Sequence, residues 1–181
     1  MAKEAPPSHV RRAFAEQLYK ECGYDIMAMS LPVSGVIGMA CLESGFGTSA
    51  HYRDYNILFG ITAPYKDGWD LPGCKVRGTE WVYLPTQAIK DGPIVQDRFC
   101  IAPTLKGAFA IFRGLIENHP MLKSASGKAA LKAAANDPAA FAKVMATRCL
   151  FGAGNAVEYP KTVLKIIDQE NLRRFDSGKV A

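Results

Sequence analysis

The chain has 181 residues, 49% of them hydrophobic and 22% charged, which suits one soluble globular domain and leaves little room for a second. The net charge of +5 and the isoelectric point of 9.0 suit an anionic partner, such as cell wall or nucleic acid, and equally a merely soluble basic protein. We therefore predict a single domain spanning residues 1–181.

The first predicted elements are two helices. Ser8 is placed to cap a helix whose apolar residues recur every fourth position, and Gly23 is predicted to end it. Ser30 is predicted to cap the second helix. The uncharged run 26–42 is too short to span a bilayer, where about 20 apolar residues are needed, and Pro32 interrupts it. We interpret this run as a core helix.

A single carboxylate, Glu43, follows this uncharged run. Gly45 and Gly47 come next and are predicted to end the helix, so Glu43 lies near its C-terminus with apolar residues behind it. Desolvation disfavours an ionised carboxylate, and the negative end of the helix dipole acts in the same direction. We predict that Glu43 keeps a proton near neutral pH and serves as a general acid.

Residues 45–102 have a different pattern, rich in glycine, proline and aromatic side chains. The segments CKVRGTEWVYL (74–84) and PIVQDRFCI (93–101) are predicted strands, because they combine β-branched and aromatic residues with partial alternation. Asp91 and Gly92 supply a turn between the two. We predict a small lobe of loops and short strands.

Helical periodicity returns after Thr104, which is predicted to cap a helix that stops at Pro120. An alanine-rich stretch at 129–135 is predicted as a short helix, a further helix opens at Pro138, and the last begins near Val157. The chain order is therefore helices, a small sheet lobe, and more helices. This order is typical of an α+β fold with a helical lobe (8–44 and 103–172) and a β lobe (45–102).

Two short motifs point to a family. ESGFGTSAHY (43–52) and NILFGI (56–61), followed by TEW (79–81) and a tyrosine at the head of the last helix, resemble the signature of bacterial glucosaminidases, glycoside hydrolase family 73. These enzymes cut the glycan strands of peptidoglycan. The resemblance implies a lysozyme-like α+β fold, mainly helical, with a small β-lobe flanking a substrate cleft. It implies an endo-β-N-acetylglucosaminidase that cleaves β-1,4 bonds and uses no cofactor or metal.

The resemblance also assigns catalytic roles. Glu43 is the general acid, and Glu80 is the second carboxylate that activates water or stabilises positive charge on the sugar. Asp70 and Asp97 are alternatives for this second role. Tyr159 is implied to position water or the substrate's N-acetyl group, although its helical spacing equally suits a core residue.

Sugar binding favours aromatic faces beside polar groups. Aromatic residues are concentrated in the predicted β lobe, and one asparagine falls in the second motif. These side chains are candidates for substrate contacts or for the small core of the lobe: Tyr52, Asn56, Trp69, Trp81 and Tyr83.

Other functions stay open at this point. An N-acetylmuramidase or a lytic transglycosylase would use the same fold and the same glutamate. A wall-peptide amidase would use Cys41 with His51, although burial in an apolar helix would raise the pKa of that thiol and lower its reactivity. A nucleic-acid-binding module would suit the charge, but the Lys and Arg residues carry no known binding signature.

The five cysteines leave at least one thiol unpaired and show no metal-binding spacing. Cys74 and Cys100 bracket the predicted sheet and are the first pair to test for a bridge. The start, MAKEAPPSHVRR, contains no apolar signal segment. Either the chain is a processed fragment, or it is exported by a dedicated route to the bacterial periplasm or cell wall; we expect the second, as for a bacteriolytic toxin. The expected partners are the peptidoglycan glycan strand and a cognate inhibitor protein, with no nucleic acid and no membrane span.

Overall fold

The structure, a computed structural model, describes residues 5–62, 80–86, 94–149, 151 and 155–177. In these ranges the helices are α1 (Ser8–Ala28), α2 (Val33–Glu43), α3 (Ala50–Tyr55), α4 (Leu105–Asn118), α5 (Pro120–Lys123), α6 (Ala125–Ala133), α7 (Pro138–Cys149), α8 (Glu158–Gln169) and a 3-10 helix (Leu172–Phe175). The strands are β1 (Glu80–Thr86) and β2 (Val95–Ile101).

Helix α2 lies at the centre of the molecule. It packs against α1, α7, α8 and the 3-10 helix, and every residue from Val33 to Cys41 is buried. A helix that is apolar on all sides can be stable only when it is surrounded by other elements. The uncharged run predicted as a core helix is thus the end of α1, a short connection and then α2.

The start of α2 is set by a residue far away in the sequence. Ser34 donates from its backbone N to Asp176 Oδ1 (2.8 Å) and from its hydroxyl to Asp176 Oδ2 (2.6 Å). This carboxylate satisfies a backbone donor that has no partner in the first turn of a helix, and its charge suits the positive end of the dipole. The predicted cap at Ser30 is wrong, because α2 begins three residues later, after Pro32.

The prediction that Gly23 ends the first helix is also wrong, since α1 continues to Ala28. Gly23 is buried, and a Cβ atom there would lie 2.8 Å from the ring of Tyr19. The glycine therefore makes room for that ring on the helix surface. Ser8 is the first helical residue, and its side chain makes no capping hydrogen bond.

The predicted α+β architecture with a β lobe needs correction. Within the described residues, strand is confined to β1 and β2, which form one antiparallel sheet in which Glu80 pairs with Ile101 and Thr86 with Val95. A single bridge, from Thr62 to Phe99, adds to it. Residues 50–55, predicted as part of the β lobe, form a helix that is too short to show a helical periodicity in the sequence. The described chain is therefore mainly helical, and its sheet is small. The Asp91–Gly92 turn falls outside the described residues.

Among the later helices, the starts of α4, α7 and α8 agree with the sequence predictions, whereas α5 was not predicted and the alanine-rich helix α6 spans Ala125–Ala133 instead of 129–135. Thr104 accepts a hydrogen bond from Gly107 N at 3.1 Å and caps α4, which ends before Pro120. Helix α7 begins at Pro138, and α8 begins one residue after Val157. No helix within the described ranges is long and apolar enough to cross a membrane. The single-domain organisation stays a prediction.

Candidate functional site

Glu43 and Tyr159 form a hydrogen-bonded pair between two helices. Glu43 is the last residue of α2, as predicted, and Tyr159 lies in the first turn of α8. The Tyr159 hydroxyl donates to Glu43 Oε1 at 2.7 Å, across a separation of 116 residues. The ring of Tyr159 is buried, whereas Glu43 is only half-buried, so the carboxyl group lies at the boundary between core and solvent.

Close packing of α2 on α8 brings the two side chains together. A Cβ atom at Gly38 would lie 3.0 Å from Ile167 and 3.3 Å from Val163, so the missing side chain lets the helices approach. Gly38 faces the middle of α8 and Glu43 faces its beginning, which means that the helices run antiparallel. The C-terminus of α2 therefore meets the N-terminal turn of α8.

The electrostatics of the pair suit a proton donor. Desolvation raises the pKa of Glu43, and the hydrogen bond from Tyr159 partly offsets this by favouring the ionised form. Burial raises the pKa of Tyr159 most, with the nearby charge of Glu43 adding to it. Tyr159 thus stays a hydroxyl donor while Glu43 binds its proton more tightly than an ordinary glutamate does.

The loop after Glu43 is rigidly built around Ser44, which is fully buried. Its hydroxyl donates to Ala40 O (2.7 Å) and accepts from Gly47 N (3.1 Å). Gly45, Phe46 and Gly47 all have positive φ angles of 55–74°. Sequence reasoning foresaw the two glycines but assigned no role to Ser44 or to the strained conformation of Phe46.

Two of the predicted substrate contacts have structural partners. Asn56 ends α3 in a left-handed conformation (φ 53°), and its Nδ2 donates to Ala102 O at 2.9 Å. Tyr52 is half-buried and packs edge-on against Phe14, with ring centroids 5.3 Å apart. Both residues therefore help to hold α3 in place, and their contact with substrate stays a prediction.

The remaining predicted site residues are spread over the sheet and beyond the described ranges. Glu80 and Trp81 lie on β1, paired with Ile101 and Cys100 respectively, and Tyr83 on the same strand is 60% exposed. Asp97 lies on β2 and accepts from Arg98 N. Trp69, Asp70 and Cys74 fall outside the described residues, so the proposed Cys74–Cys100 bridge does too.

Cys41 and His51 do not form an exposed pair. Cys41 is completely buried inside α2, and burial raises the pKa of its thiol, with the charge of Glu170 adding to the effect. His51 lies on α3, with its ring 5.5 Å from the ring of Phe99. The burial of Cys41 and the direction of its pKa shift agree with the prediction, and a buried thiol with a raised pKa is poorly suited to act as a nucleophile. Among the described residues, no three His, Cys, Asp or Glu side chains lie together in a group able to hold a metal ion.

Comparison with known proteins finds similarity only at the level of structure. No protein-family model matches the sequence, and no curated protein matches it. A solved structure named as an N-acetylmuramoyl-L-alanine amidase from Staphylococcus aureus has a TM-score of 0.70 at 20% identity. The match covers 97% of this chain and 45% of that one, so this chain spans less than half of the Staphylococcus chain.

A second solved structure, the catalytic domain of the autolysin Auto from Listeria monocytogenes, has a TM-score of 0.58 at 19% identity. The match covers 96% of this chain and 91% of that chain. Identities this low establish a shared fold, and neither neighbour carries the name of a glucosaminidase.

The comparisons correct the assignment made from the short motifs. The first neighbour is named as an amidase, which contradicts the predicted membership of the glucosaminidase family and the predicted lysozyme-like class. The names of these neighbours also contradict the predicted cleavage of glycosidic β-1,4 bonds. The alternatives of an N-acetylmuramidase and a lytic transglycosylase, which act on the same glycan strand, are contradicted with it. The motifs misled because they describe local geometry, a helix end and a following turn, which unrelated active sites can share.

Proposed function

We propose that this chain is a peptidoglycan hydrolase in which Glu43 donates the proton that the leaving group needs. The observation that carries the proposal is the 2.7 Å hydrogen bond from Tyr159 to the half-buried Glu43. The two structural neighbours support the substrate, since one is named as a wall amidase and the other as an autolysin. The place of action would be the cell wall, whereas the export route and an inhibitor partner stay predictions.

The bond we propose as the target is the amide between N-acetylmuramic acid and L-alanine, following the name of the first neighbour. An amide nitrogen is a poor leaving group until it is protonated, so its departure requires a general acid. Glu43 would give its proton to that nitrogen as water adds to the carbonyl carbon and the C–N bond breaks. Water supplies the hydroxyl of the new carboxyl group, and its proton returns to Glu43.

Tyr159 would stabilise the carboxylate that Glu43 becomes after proton transfer. Its hydroxyl already donates to Oε1, and a hydrogen bond to a charged oxygen is stronger than one to a neutral oxygen. Burial favours the protonated state before transfer and the hydroxyl favours the ionised state afterwards. The pair is therefore suited to a proton that leaves and returns in each cycle.

Digestion of purified peptidoglycan tests the proposal. We expect Glu43→Gln to lower the rate by about a hundred- to ten-thousandfold, the usual contribution of a general acid. Mass spectrometry of the wild-type digest should show new free L-alanine amino groups on peptides. Full activity of Glu43→Gln would overturn the role of Glu43, and new reducing sugar ends with intact amide bonds would overturn the proposed bond.

Cys41→Ala provides the matched control. It changes a residue of the same helix that our proposal leaves out of catalysis, and it removes only a sulfur atom from the core. We expect the turnover rate to be unchanged, while loss of turnover with retained folding would restore the thiol alternative.

A further inference from the structure

Most of the net positive charge of the chain falls in one stretch, residues 119–157, because acidic residues are scarce there while basic residues occur at the same density as in the rest of the chain. This stretch contains five basic residues, Lys123, Lys128, Lys132, Lys143 and Arg148, and a single acidic one, Asp137. It therefore carries four of the five net positive charges of the whole chain, and the remaining residues are close to neutral.

Residues 119–149, which contain all six of these charged side chains, fold into three successive helices, α5, α6 and α7, and we name them the cationic lobe. All four lysines are exposed, and Lys128 and Lys132 lie one turn apart on the same side of α6. Asp137 Oδ1 accepts from the backbone N atoms of Ala139 and Ala140 at the start of α7. Among the described ion pairs, none joins a basic side chain of the lobe to a carboxylate.

Arg148 strengthens the positive field of the lobe. Its guanidinium donates to the carbonyl oxygens of Met121 (3.3 Å) and Ser126 (3.5 Å), so no carboxylate neutralises it in these contacts. It thereby lies at the N-terminal turn of α6, whose first turn contains no acidic residue. The two hydrogen bonds fix Arg148 against α5 and α6, and they leave its positive charge without a carboxylate beside it in the described part of the chain.

The chain connects the C-terminal end of the cationic lobe to the neighbourhood of Tyr159. Phe151 follows Arg148 by three residues, a span of at most about 10 Å of chain. The ring of Phe151 lies with its centroid 6.3 Å from that of Tyr159. The chain that leaves the C-terminal end of the lobe therefore packs against the ring whose hydroxyl donates to Glu43.

We propose that the cationic lobe is a docking surface for the anionic wall polymer, and that the carboxylates of the peptidoglycan stem peptides are its ligands. This inference rests on the proposed function for the identity of the polymer. The lobe exposes no Phe, Tyr or Trp side chain, because Phe141 is the only one among residues 119–149 and it is completely buried. Single-stranded nucleic acids are bound by stacking on exposed aromatic rings, so this chemistry favours a carboxylate polymer over those strands.

Co-sedimentation with insoluble peptidoglycan tests the inference. All variants in this assay also carry Glu43→Gln, which is expected to prevent digestion of the polymer during binding. Adding Lys128→Gln and Lys132→Gln should weaken binding by about fivefold, as expected for the loss of two exposed charge contacts, and should flatten its dependence on NaCl. The matched control is Lys20→Gln with Lys106→Gln, which removes the same charge from exposed positions on α1 and α4.

Three results would overturn the inference. One is equal weakening in the lobe variant and the control. Another is undiminished binding to peptidoglycan whose carboxylates have been amidated, and a third is tighter binding to duplex DNA than to peptidoglycan. The co-sedimentation assay measures binding by a protein that lacks the Glu43 carboxyl group. If the proposed role of Glu43 were wrong, this protein would still hydrolyse peptidoglycan, and that result is distinct from a loss of binding.

Discussion

At the residue scale, two opposing effects act on Glu43. Burial stabilises its protonated form and the hydroxyl of Tyr159 stabilises its ionised form, with burial the larger effect. A group whose pKa is higher in the folded state than in the unfolded state binds its proton more tightly when folded. Stability therefore falls as the pH rises from the ordinary value of 4.5 through the raised pKa of the folded protein.

Glu43→Gln should remove this pH dependence. The glutamine oxygen can still accept from Tyr159, but the side chain cannot ionise. We expect the variant to match the wild type in urea denaturation at pH 4 and to be more stable at pH 7. Asp54→Asn, at an exposed position of α3 that none of the described ion pairs involves, is the control and should show no such divergence. A variant less stable than the wild type at pH 7 would contradict the assigned environment of Glu43.

Tyr159→Phe should separate the role of the hydroxyl from that of the ring. The buried ring is kept, so the loss of stability should be about 1 kcal/mol, the cost of one hydrogen bond. Turnover should fall by about ten- to hundredfold, because the ionised form of Glu43 loses a charge-assisted hydrogen bond. The alkaline limb of the rate profile should move to higher pH, since the hydroxyl lowers the pKa of Glu43. An unchanged profile would mean that Tyr159 only fills the core.

At the element scale, the packing of α2 against α8 decides the geometry of the site. Gly38 lies in the contact between the two helices, and the beta-branched residues Val163 and Ile167 lie against the position of its missing side chain. Such side chains have few rotamers to relieve a clash. If α2 and α8 moved apart at Gly38, α8 would carry Tyr159 away from Glu43, because Tyr159 lies on the same helix as Val163 and Ile167.

Gly38→Ala tests this coupling. The clash of the new Cβ atom with Ile167 and Val163 should cost about 1–3 kcal/mol, and the helix propensity of alanine offsets up to about 1 kcal/mol of it, while the Tyr159–Glu43 hydrogen bond lengthens and turnover falls. Gly23→Ala is the matched control, since its new Cβ atom would press on the ring of Tyr19 in α1, away from the pair. We expect the control to keep full turnover, measured on purified peptidoglycan. Equal turnover in the two variants would show that the helix contact does not set the site.

At the scale of the whole molecule, the C-terminal residues hold the central helices in place. Asp176 caps α2 from 142 residues away, and the fully buried Glu170 pairs with Arg11 of α1 at 2.7 Å. The guanidinium of Arg11 also lies 5.6 Å above the ring of Phe46, in the loop that follows Glu43. The two ends of the described chain are therefore joined across the helix that carries the acid.

Asp176→Ala should destabilise the whole fold. It leaves two donors of Ser34 without their partner and removes a charge from the positive end of α2, a combined cost of about 1–3 kcal/mol in urea denaturation. Asp168→Ala is the control, because its ion pair with Arg173 is long (3.5 Å) and exposed. Its cost should not exceed about 1 kcal/mol. If both variants lost the same stability, the remote cap would contribute nothing specific.

The local pattern of the sequence was sufficient for most helices. The apolar stripes of α4, α7 and α8, the cap at Thr104 and the end of α2 at Glu43 all follow from interactions between residues at most a few positions apart. The raised pKa of Glu43 was predictable in direction for the same reason, since its apolar neighbours precede it directly in the chain. The short motifs, however, led to the wrong family, because a helix end and a turn do not specify a fold.

What the sequence determined by itself is thus the set of long helices and an acid at the end of the most apolar one. Only the tertiary structure decided that α1 continues through Gly23, that Asp176 caps α2, and that Tyr159 donates to Glu43. Periodicity and capping depend on neighbours within a turn or two, and the sequence displays these directly. A contact between residues more than 100 positions apart depends on how whole helices pack, which local order does not encode.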